Sequence, residues 1–104
     1  MNNEILYRRK GIPVRRARLE RGESSEWHVD TCERVTVVVS GDRLGIEYRD
    51  GSQPKELTVS AGQVDLDHPS DRAHRAVNLK SQRYEEVVTS FLDHEDQDPQ
   101  PPAQ

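Results

Sequence analysis

The residues best suited to chemistry are a histidine and an acidic residue two positions apart, His28 and Asp30, followed closely by Arg34. Side chains two positions apart on a β-strand point to the same side, so His28 and Asp30 share one face if their segment is a strand. Imidazole nitrogens and carboxylate oxygens are ligands of divalent metals, whereas a guanidinium group binds carboxylates and phosphates. Either chemistry depends on the strands that carry these residues.

The composition predicts β-structure for those segments. The chain has 104 residues, of which 32% are hydrophobic and 33% are charged, so we expect one domain with a small core. Eleven of the 22 Leu, Ile, Val and Phe residues are Val, which is β-branched and fits a pleated sheet better than a helix. We therefore predict an all-β domain over residues 1–92.

Short strand patterns separated by turn residues run along this domain. They predict nine strands, at residues 4–9, 14–20, 27–29, 34–40, 44–49, 56–60, 63–66, 74–78 and 84–92. Ser40-Gly41-Asp42 and Asp50-Gly51-Ser52 are predicted hairpin turns, because glycine adopts positive φ without steric cost. About eight to ten short strands at this spacing indicate a sandwich or a barrel.

The ends of the chain and its single cysteine limit the function further. The segment 93–104 is acidic, rich in proline and nearly free of apolar residues, so we predict a disordered tail. The sequence shows no run of about 18 apolar residues and no charged-then-apolar leader, so we expect a cytoplasmic protein without a membrane partner. Cys32, the single cysteine, excludes an intramolecular disulfide and a thiolate zinc cluster.

Two segments have spacings that resemble the two motifs of the cupin family. The first motif, G-x5-H-x-H-x3-E-x6-G, is approached by Gly22, His28, Asp30, Arg34 and Gly41. The second, G-x5-P-x-G-x2-H-x3-N, is approached, with one extra residue before the proline, by Gly62, Pro69, Asp71, His74 and Asn78. Together the motifs span residues 22–78, and the flanking strands fit the rest of a small single-domain cupin.

The resemblance implies a jelly-roll β-barrel whose inward-facing side chains hold a divalent metal. This sequence departs from the family pattern at Asp30, which replaces a histidine, and at Arg34, which stands in the place of the glutamate. The ligand set that remains is His28, Asp30 and His74, two imidazoles and one carboxylate, which suits iron or zinc with open coordination positions. We accordingly expect Fe, Zn, Ni or Mn as the metal and no organic cofactor.

Arg34 leaves more than one function open, because its charge repels a metal and its guanidinium can pair with Asp30. One hypothesis is a metal-dependent cupin that acts on a small anionic organic substrate by dioxygenase, lyase or isomerase chemistry. A second is a metal-free module that binds a carboxylate or a sugar acid for regulation, and a third is a structural partner of a larger enzyme. The adjacent Glu33 reaches the pocket only if a β-bulge redirects it.

The predicted pocket and its reverse face suggest the partners. The residues predicted to bind the small anionic molecule are Arg34, Thr36, Val38, Tyr48 and His68. Val35, Val37 and Val39 alternate with the pocket face, and burial of this stripe against a second copy predicts a homodimer. The arginines near the N-terminus lack interleaved aromatic residues and the net charge is −4, so we predict no nucleic-acid partner.

Overall fold

A computed structural model describes residues 1–92, which form nine β-strands and contain no helix. The strands are β1 (Asn2–Arg9), β2 (Ile12–Leu19), β3 (His28–Asp30), β4 (Glu33–Ser40), β5 (Arg43–Tyr48), β6 (Lys55–Thr58), β7 (Val64–Asp67), β8 (Ser70–Asn78) and β9 (Tyr84–Phe91). The predicted all-β fold is confirmed. The predicted tail, residues 93–104, lies outside the described residues. Residues 1–92 include no helix long and apolar enough to cross a membrane.

The strands form two antiparallel sheets that face each other. One sheet has five strands in the order β1-β2-β9-β4-β7, and the other has four in the order β3-β8-β5-β6. The pairs β1-β2 and β5-β6 are hairpins within one sheet, whereas every other connection crosses from one sheet to the other. This alternation produces the jelly roll that the sequence resemblance implies.

The core lies between the two sheets and is supplied by alternate residues of each strand. In β4, Thr36 and Val38 are buried at 9% and 1% exposure, whereas Val35 and Val37 lie on the opposite face. The predicted division of β4 into two faces is therefore confirmed. The buried hydrophobic cluster consists of Leu19, Val38, Leu44, Val59 and Tyr84.

The predicted hairpin at Ser40-Gly41-Asp42 is wrong. Because β4 and β5 belong to different sheets, this segment is a corner over the core. Gly41 is needed there for close approach, since a Cβ atom at this position would lie 2.8 Å from Cδ1 of Tyr84. The other predicted turn does join a hairpin, between β5 and β6, and Gly51 within it has a φ of 83°.

Asn78 fixes the end of β8 to two other segments of the chain. Its side chain is 1% exposed. Nδ2 donates to the backbone oxygens of Leu19 at 3.0 Å and Gln82 at 2.9 Å, and Oδ1 accepts from the backbone nitrogen of Lys80 at 3.1 Å. One amide group thus connects the ends of β2 and β8 to the segment before β9 through three hydrogen bonds to the backbone.

Candidate metal centre

Two histidines lie side by side on the four-stranded sheet. His28 of β3 and His74 of β8 are direct register partners, and Tyr48 of β5 is the register partner of His74 on its other side. The centroids of the two imidazole rings are 4.5 Å apart. His28 and His74 are 46 positions apart in the sequence, and they meet because β3 and β8 pair antiparallel.

Asp30 completes the group from the same strand as His28. Its Oδ2 lies 2.9 Å from Nε2 of His74, and its Oδ1 lies 3.5 Å from Nε2 of His28. The register shifts between His28 and Asp30: β3 advances by two residues while β8 advances by four, from His74 to Ser70, so the extra residues are in β8. The structure thus brings the three predicted metal ligands together, with one ligand atom from each residue and all three within 4.8 Å of one another.

The second nitrogen of each imidazole is held by the backbone. Nδ1 of His28 donates to the oxygen of Glu26, and Nδ1 of His74 donates to the oxygen of Arg72, both at 2.8 Å. A neutral imidazole with its proton on Nδ1 presents a lone pair at Nε2. Such a lone pair and a carboxylate oxygen 2.9 Å apart repel each other unless a proton or a metal cation lies between them. The donor set therefore fits a cation, and the carbonyl partners orient both rings as they do in metal sites.

Arg34 contacts the same carboxylate from β4. Its Nη1 lies 2.7 Å from Oδ1 of Asp30, and its Nη2 lies 3.9 Å from Oδ2 of Asp67. The short contact is an ion pair without hydrogen-bond geometry. Nη1 is buried, and it has no hydrogen-bond acceptor among residues 1–92. Arg34, rather than Glu33, faces the interior, because Glu33 is exposed and pairs with His68.

The remaining residues that the sequence predicts to bind substrate lie in different places. Thr36 donates its hydroxyl to Asp67 at 2.9 Å, and the same carboxylate oxygen lies 3.9 Å from Nη2 of Arg34. Tyr48 is in the same row as the two histidines. Val38 belongs to the buried hydrophobic cluster. The side chain of His68 is 71% exposed and 3.0 Å from Oε1 of Glu33, so the structure does not bring it to the centre.

Sequence reasoning missed two charged side chains that contact residues of the predicted site: Arg72 contacts Tyr48, and Asp67 contacts Arg34. Arg72 lies with its guanidinium 3.6 Å from the centroid of the Tyr48 ring, and its Nε is 3.5 Å from Oδ2 of Asp50. Its position two residues before His74 on a strand was the available signal, since it places both on one face. Asp67 is the register partner of Arg34. No local pattern identifies that pair, because it depends on which strands become neighbours.

A separate pocket of about 350 Å³ lies where β3 turns into β4. It is lined by Thr31, Cys32, Glu33, Pro69 and Phe91. None of these residues belongs to the His28, Asp30 and His74 group. Cys32 is a free thiol with 6% exposure.

A half-buried carboxyl group lies on the inner face of β9. Glu86 is the register partner of Val38, and its Oε1 accepts a hydrogen bond from the Tyr84 hydroxyl at 2.6 Å. Loss of hydration raises the pKa of Glu86, although the Tyr84 hydrogen bond opposes the shift. The charged or titratable groups that face it from β2, β4, β7 and β9 are Arg15, Arg34, Asp67 and Tyr84.

Replacing Glu86 with glutamine is expected to remove a loss of stability that occurs as the pH rises. A folded-state pKa above the ordinary 4.5 means that the folded chain holds the proton more tightly, so stability is lost as the pH rises from 4.5 through the folded pKa. Each unit of elevation removes about 1.4 kcal/mol at higher pH. The side-chain oxygen of glutamine can still accept the hydrogen bond from Tyr84. Urea unfolding at pH 8 should therefore give a higher free energy of unfolding for Glu86→Gln than for the wild type.

The neighbouring carboxylate provides a matched control. Glu85 points to the outer face, where Nε of Arg18 lies 3.0 Å from its Oε1. Glu85→Gln breaks an ion pair and should give no gain in stability at pH 8. If the free energy of unfolding depends on pH in the same way in the wild type and in Glu86→Gln, ionisation of Glu86 does not destabilise the fold and the assignment is contradicted.

The fold and the centre define a class of protein: two facing antiparallel sheets in a jelly roll with a His, Asp, His group at their inner surface. The sequence matches no family model and no curated protein. A cupin domain from Bordetella pertussis tohama i is similar with a TM-score of 0.76 and 17% identity, over 86% of this chain and 91% of that one.

Two further solved structures give the same result. An RmlC-like cupin family protein from Methanocaldococcus jannaschii has a TM-score of 0.68 and 18% identity, over 88% of this chain and 79% of that one. A double-stranded β-helix protein from Klebsiella pneumoniae has a TM-score of 0.68 and 16% identity, over 88% and 76% of the two chains. The chain is a small protein with the cupin fold, and the predicted jelly-roll architecture is confirmed.

Proposed function

We propose that His28, Asp30 and His74 bind one divalent transition metal ion. The observation that carries this proposal is the 2.9 Å approach of Nε2 of His74 to Oδ2 of Asp30 while Nδ1 of the same ring donates to a backbone oxygen. Nε2 of His28 faces the same carboxylate. Two imidazoles and one carboxylate are a ligand set for iron, zinc, nickel or manganese that leaves coordination positions for water and substrate.

The substrate proposed for this centre is a small organic anion. When bound, the metal would supply Lewis acidity or, as iron, oxygen chemistry of the dioxygenase type. The chain's own contribution is to orient the two imidazoles through the oxygens of Glu26 and Arg72 and to offer a positive charge at Arg34. An anionic group on the substrate would satisfy Nη1 of Arg34, which has no acceptor among the described residues.

Removal of one ligand tests the metal site. Titration calorimetry of chelator-treated protein with Zn²⁺ and with Co²⁺ is expected to show one site per chain in the wild type. Replacing His74 with alanine should weaken it by at least about a hundredfold, since changes to the supporting residues alone cost metal sites 10- to 100-fold. The visible spectrum of the Co²⁺ form should change in parallel.

His68→Ala is the control for this measurement. His68 has the same side-chain chemistry, but it is exposed and pairs with Glu33 away from the centre. Its replacement should leave the Zn²⁺ affinity within about twofold of wild type. Equal losses in His68→Ala and His74→Ala, or no binding in the wild type, would overturn the proposed metal site.

A metal-free binding module is the second candidate, and the short contact between Arg34 and Asp30 favours it. A carboxylate held 2.7 Å from a guanidinium is less available to a metal. In this case malonate or inorganic phosphate should raise the melting temperature of chelator-treated protein. That increase should disappear in Arg34→Gln and persist in His74→Ala.

A further inference from the structure

The hairpin that joins β1 and β2 ends in a cluster of positive charge. Arg8, Arg9 and Lys10 are consecutive and exposed. Lys10 and Gly11 form the turn between Arg9 and Ile12, which are register partners. Neither Arg9 nor Lys10 forms an ion pair with another residue of the described range 1–92. The positive tip is defined by Arg8, Arg9 and Lys10.

The last residue that the structure describes, Leu92, lies against this turn. Its backbone nitrogen donates to the oxygen of Gly11 at 2.9 Å. A Cβ atom on Gly11 would lie 3.7 Å from the backbone oxygen of Leu92, so both polar backbone groups of Leu92 are close to the turn. The chain therefore continues into residues 93–104 from a point next to Lys10.

The sequence of residues 93–104 carries the net negative charge of the chain. The segment contains no Lys or Arg, and its first six positions include the carboxylates Asp93, Glu95, Asp96 and Asp98. Residues 1–92 contain 15 positive and 15 negative side chains, so the whole net charge of −4 belongs to this segment. The negative charge is thus concentrated directly after the point at which the chain passes the positive tip.

We propose that the acidic segment 93–104 binds the positive tip of its own chain and shields it from other anions. A residue adds at most about 3.3–3.6 Å to an extended chain, so all four carboxylates of the segment can reach the tip. A short connection gives the two groups an effective concentration in the mM range, so weak surface ion pairs are enough to hold them together. Arg9 and Lys10 then obtain the partners that residues 1–92 do not provide.

The contact should depend on salt and be independent of the candidate metal centre. The screening length falls from about 10 Å at 0.1 M salt to about 3 Å at 1 M, so the segment should leave the tip at about 1 M NaCl. His28 and His74 belong to the other sheet, whereas the tip joins two strands of the five-stranded sheet. A failure of one proposal therefore does not affect the other.

Zero-length cross-linking of the full chain tests the contact. A carbodiimide joins a lysine amine to a carboxylate that touches it, and the chain has three lysines, which are all exposed: Lys10, Lys55 and Lys80. In about 50 mM NaCl, mass spectrometry of the single-chain band should find Lys10 joined to carboxylates of the acidic segment, at least about fivefold more than in about 1 M NaCl. Lys55 and Lys80 are internal controls and should give at most about a tenth of the yield at Lys10.

Two substitutions separate the tip from positive charge elsewhere. Arg9→Gln should lower the yield at Lys10 at least about twofold, because it removes a neighbouring cation. Arg49→Gln is the matched control and should leave the yield unchanged, since Arg49 is exposed and directly follows β5 on the other sheet. No cross-link at Lys10 in the wild type, equal yields at the three lysines, or a yield that is unchanged in about 1 M NaCl would overturn the proposal.

Binding of an added polyanion tests the shielding. The test variant neutralises the four carboxylates in the full chain, as Asp93→Asn, Glu95→Gln, Asp96→Asn and Asp98→Asn. Fluorescence anisotropy with a labelled heparin hexasaccharide in about 50 mM NaCl should give an affinity at least about tenfold higher than that of the wild type. Adding Arg9→Gln and Lys10→Gln to this variant should return the affinity to the wild-type value. An unchanged affinity in the test variant, or an equal increase with and without Arg9 and Lys10, would mean that the segment does not shield the tip.

Discussion

Replacing Arg34 with glutamine is expected to raise the affinity of the candidate metal centre for Zn²⁺ and Co²⁺ by at least about tenfold. The guanidinium lies 2.7 Å from Oδ1 of Asp30, so it competes for the carboxylate and adds positive charge to the site. Two unit charges about 4 Å apart interact by about 4 kcal/mol at an effective dielectric constant of about 20, and about 1.4 kcal/mol is tenfold in affinity. Removal of about a third of this repulsion is therefore sufficient for a tenfold increase in metal affinity.

Arg34→Glu is expected to raise the metal affinity more than Arg34→Gln does. It removes the cation and places a carboxylate where the cupin motif has one, so the Zn²⁺ affinity should rise by about a hundredfold or more over wild type. Without metal, Asp30 and Asp67 would then face a third negative charge in place of the cation that now contacts both. The metal-free variant should therefore melt at a lower temperature than wild type, and added Zn²⁺ should reverse the loss.

Arg75→Gln is the matched control. Arg75 also lies 2.7 Å from a carboxylate, Glu47, but it follows His74 directly in β8 and so points to the opposite face. Its replacement should leave the metal affinity unchanged. If Arg34→Gln binds Zn²⁺ no more tightly than wild type, Arg34 does not compete with the metal for Asp30, and the short contact between Arg34 and Asp30 no longer favours the metal-free binding module.

The strands could be predicted because β-branched residues and turn glycines are local signals. The sequence predicts nine strands and residues 1–92 form nine, but β8 begins at Ser70 rather than at residue 74. The four added residues are polar or small and have no strand pattern of their own. They are extended because Asp30 pairs with Ser70 across the sheet, which is a tertiary contact.

The ligand group was predictable for a different reason. His28 and Asp30 are two positions apart on one strand, which places them on one face. The motif spacing links both residues to His74, so the sequence predicts the distant contact as well as the local one. The sequence leaves open whether Arg34 pairs with Asp30 or with an anionic ligand, because the partner of a side chain that reaches across strands depends on the strand register. Pairing of β4 with β7 places Asp67 opposite Arg34 and resolves the orientation of Glu33.

Polar groups inside the barrel were the least predictable feature. Alternation normally places apolar residues inward, yet Asp65 and Asp67 of β7 and Glu86 of β9 lie on the interior side. Asp67 accepts a hydrogen bond from Thr36 of β4, whereas Asp65 and Glu86 accept from Gln63 and Tyr84, which lie two residues earlier in the chain. The pair of Thr36 and Asp67 depends on which strands become neighbours and has no signature in a single segment.

Replacing Asn78 with alanine is expected to lower the free energy of unfolding by about 3 kcal/mol or more, a large share of the 5–15 kcal/mol typical of small domains. The substitution leaves the backbone oxygens of Leu19 and Gln82 and the backbone nitrogen of Lys80 without their partner. An unsatisfied buried polar group costs about 1–3 kcal/mol. Urea unfolding at neutral pH measures the loss. The slope of the unfolding free energy against urea concentration is compared between the variant and the wild type.

Asn78→Asp and Asn3→Ala separate the hydrogen bonds from simple burial. Aspartate keeps the size and the acceptor for Lys80, but it directs a carboxylate at two carbonyl oxygens that now accept from Nδ2, so it should destabilise at least as much as alanine at pH 7. Asn3 is also buried, at 4% exposure, and makes no side-chain hydrogen bond among residues 1–92. Asn3→Ala should cost about 1 kcal/mol. Equal losses at Asn78 and Asn3 would mean that packing, and not the three hydrogen bonds, holds this corner of the barrel.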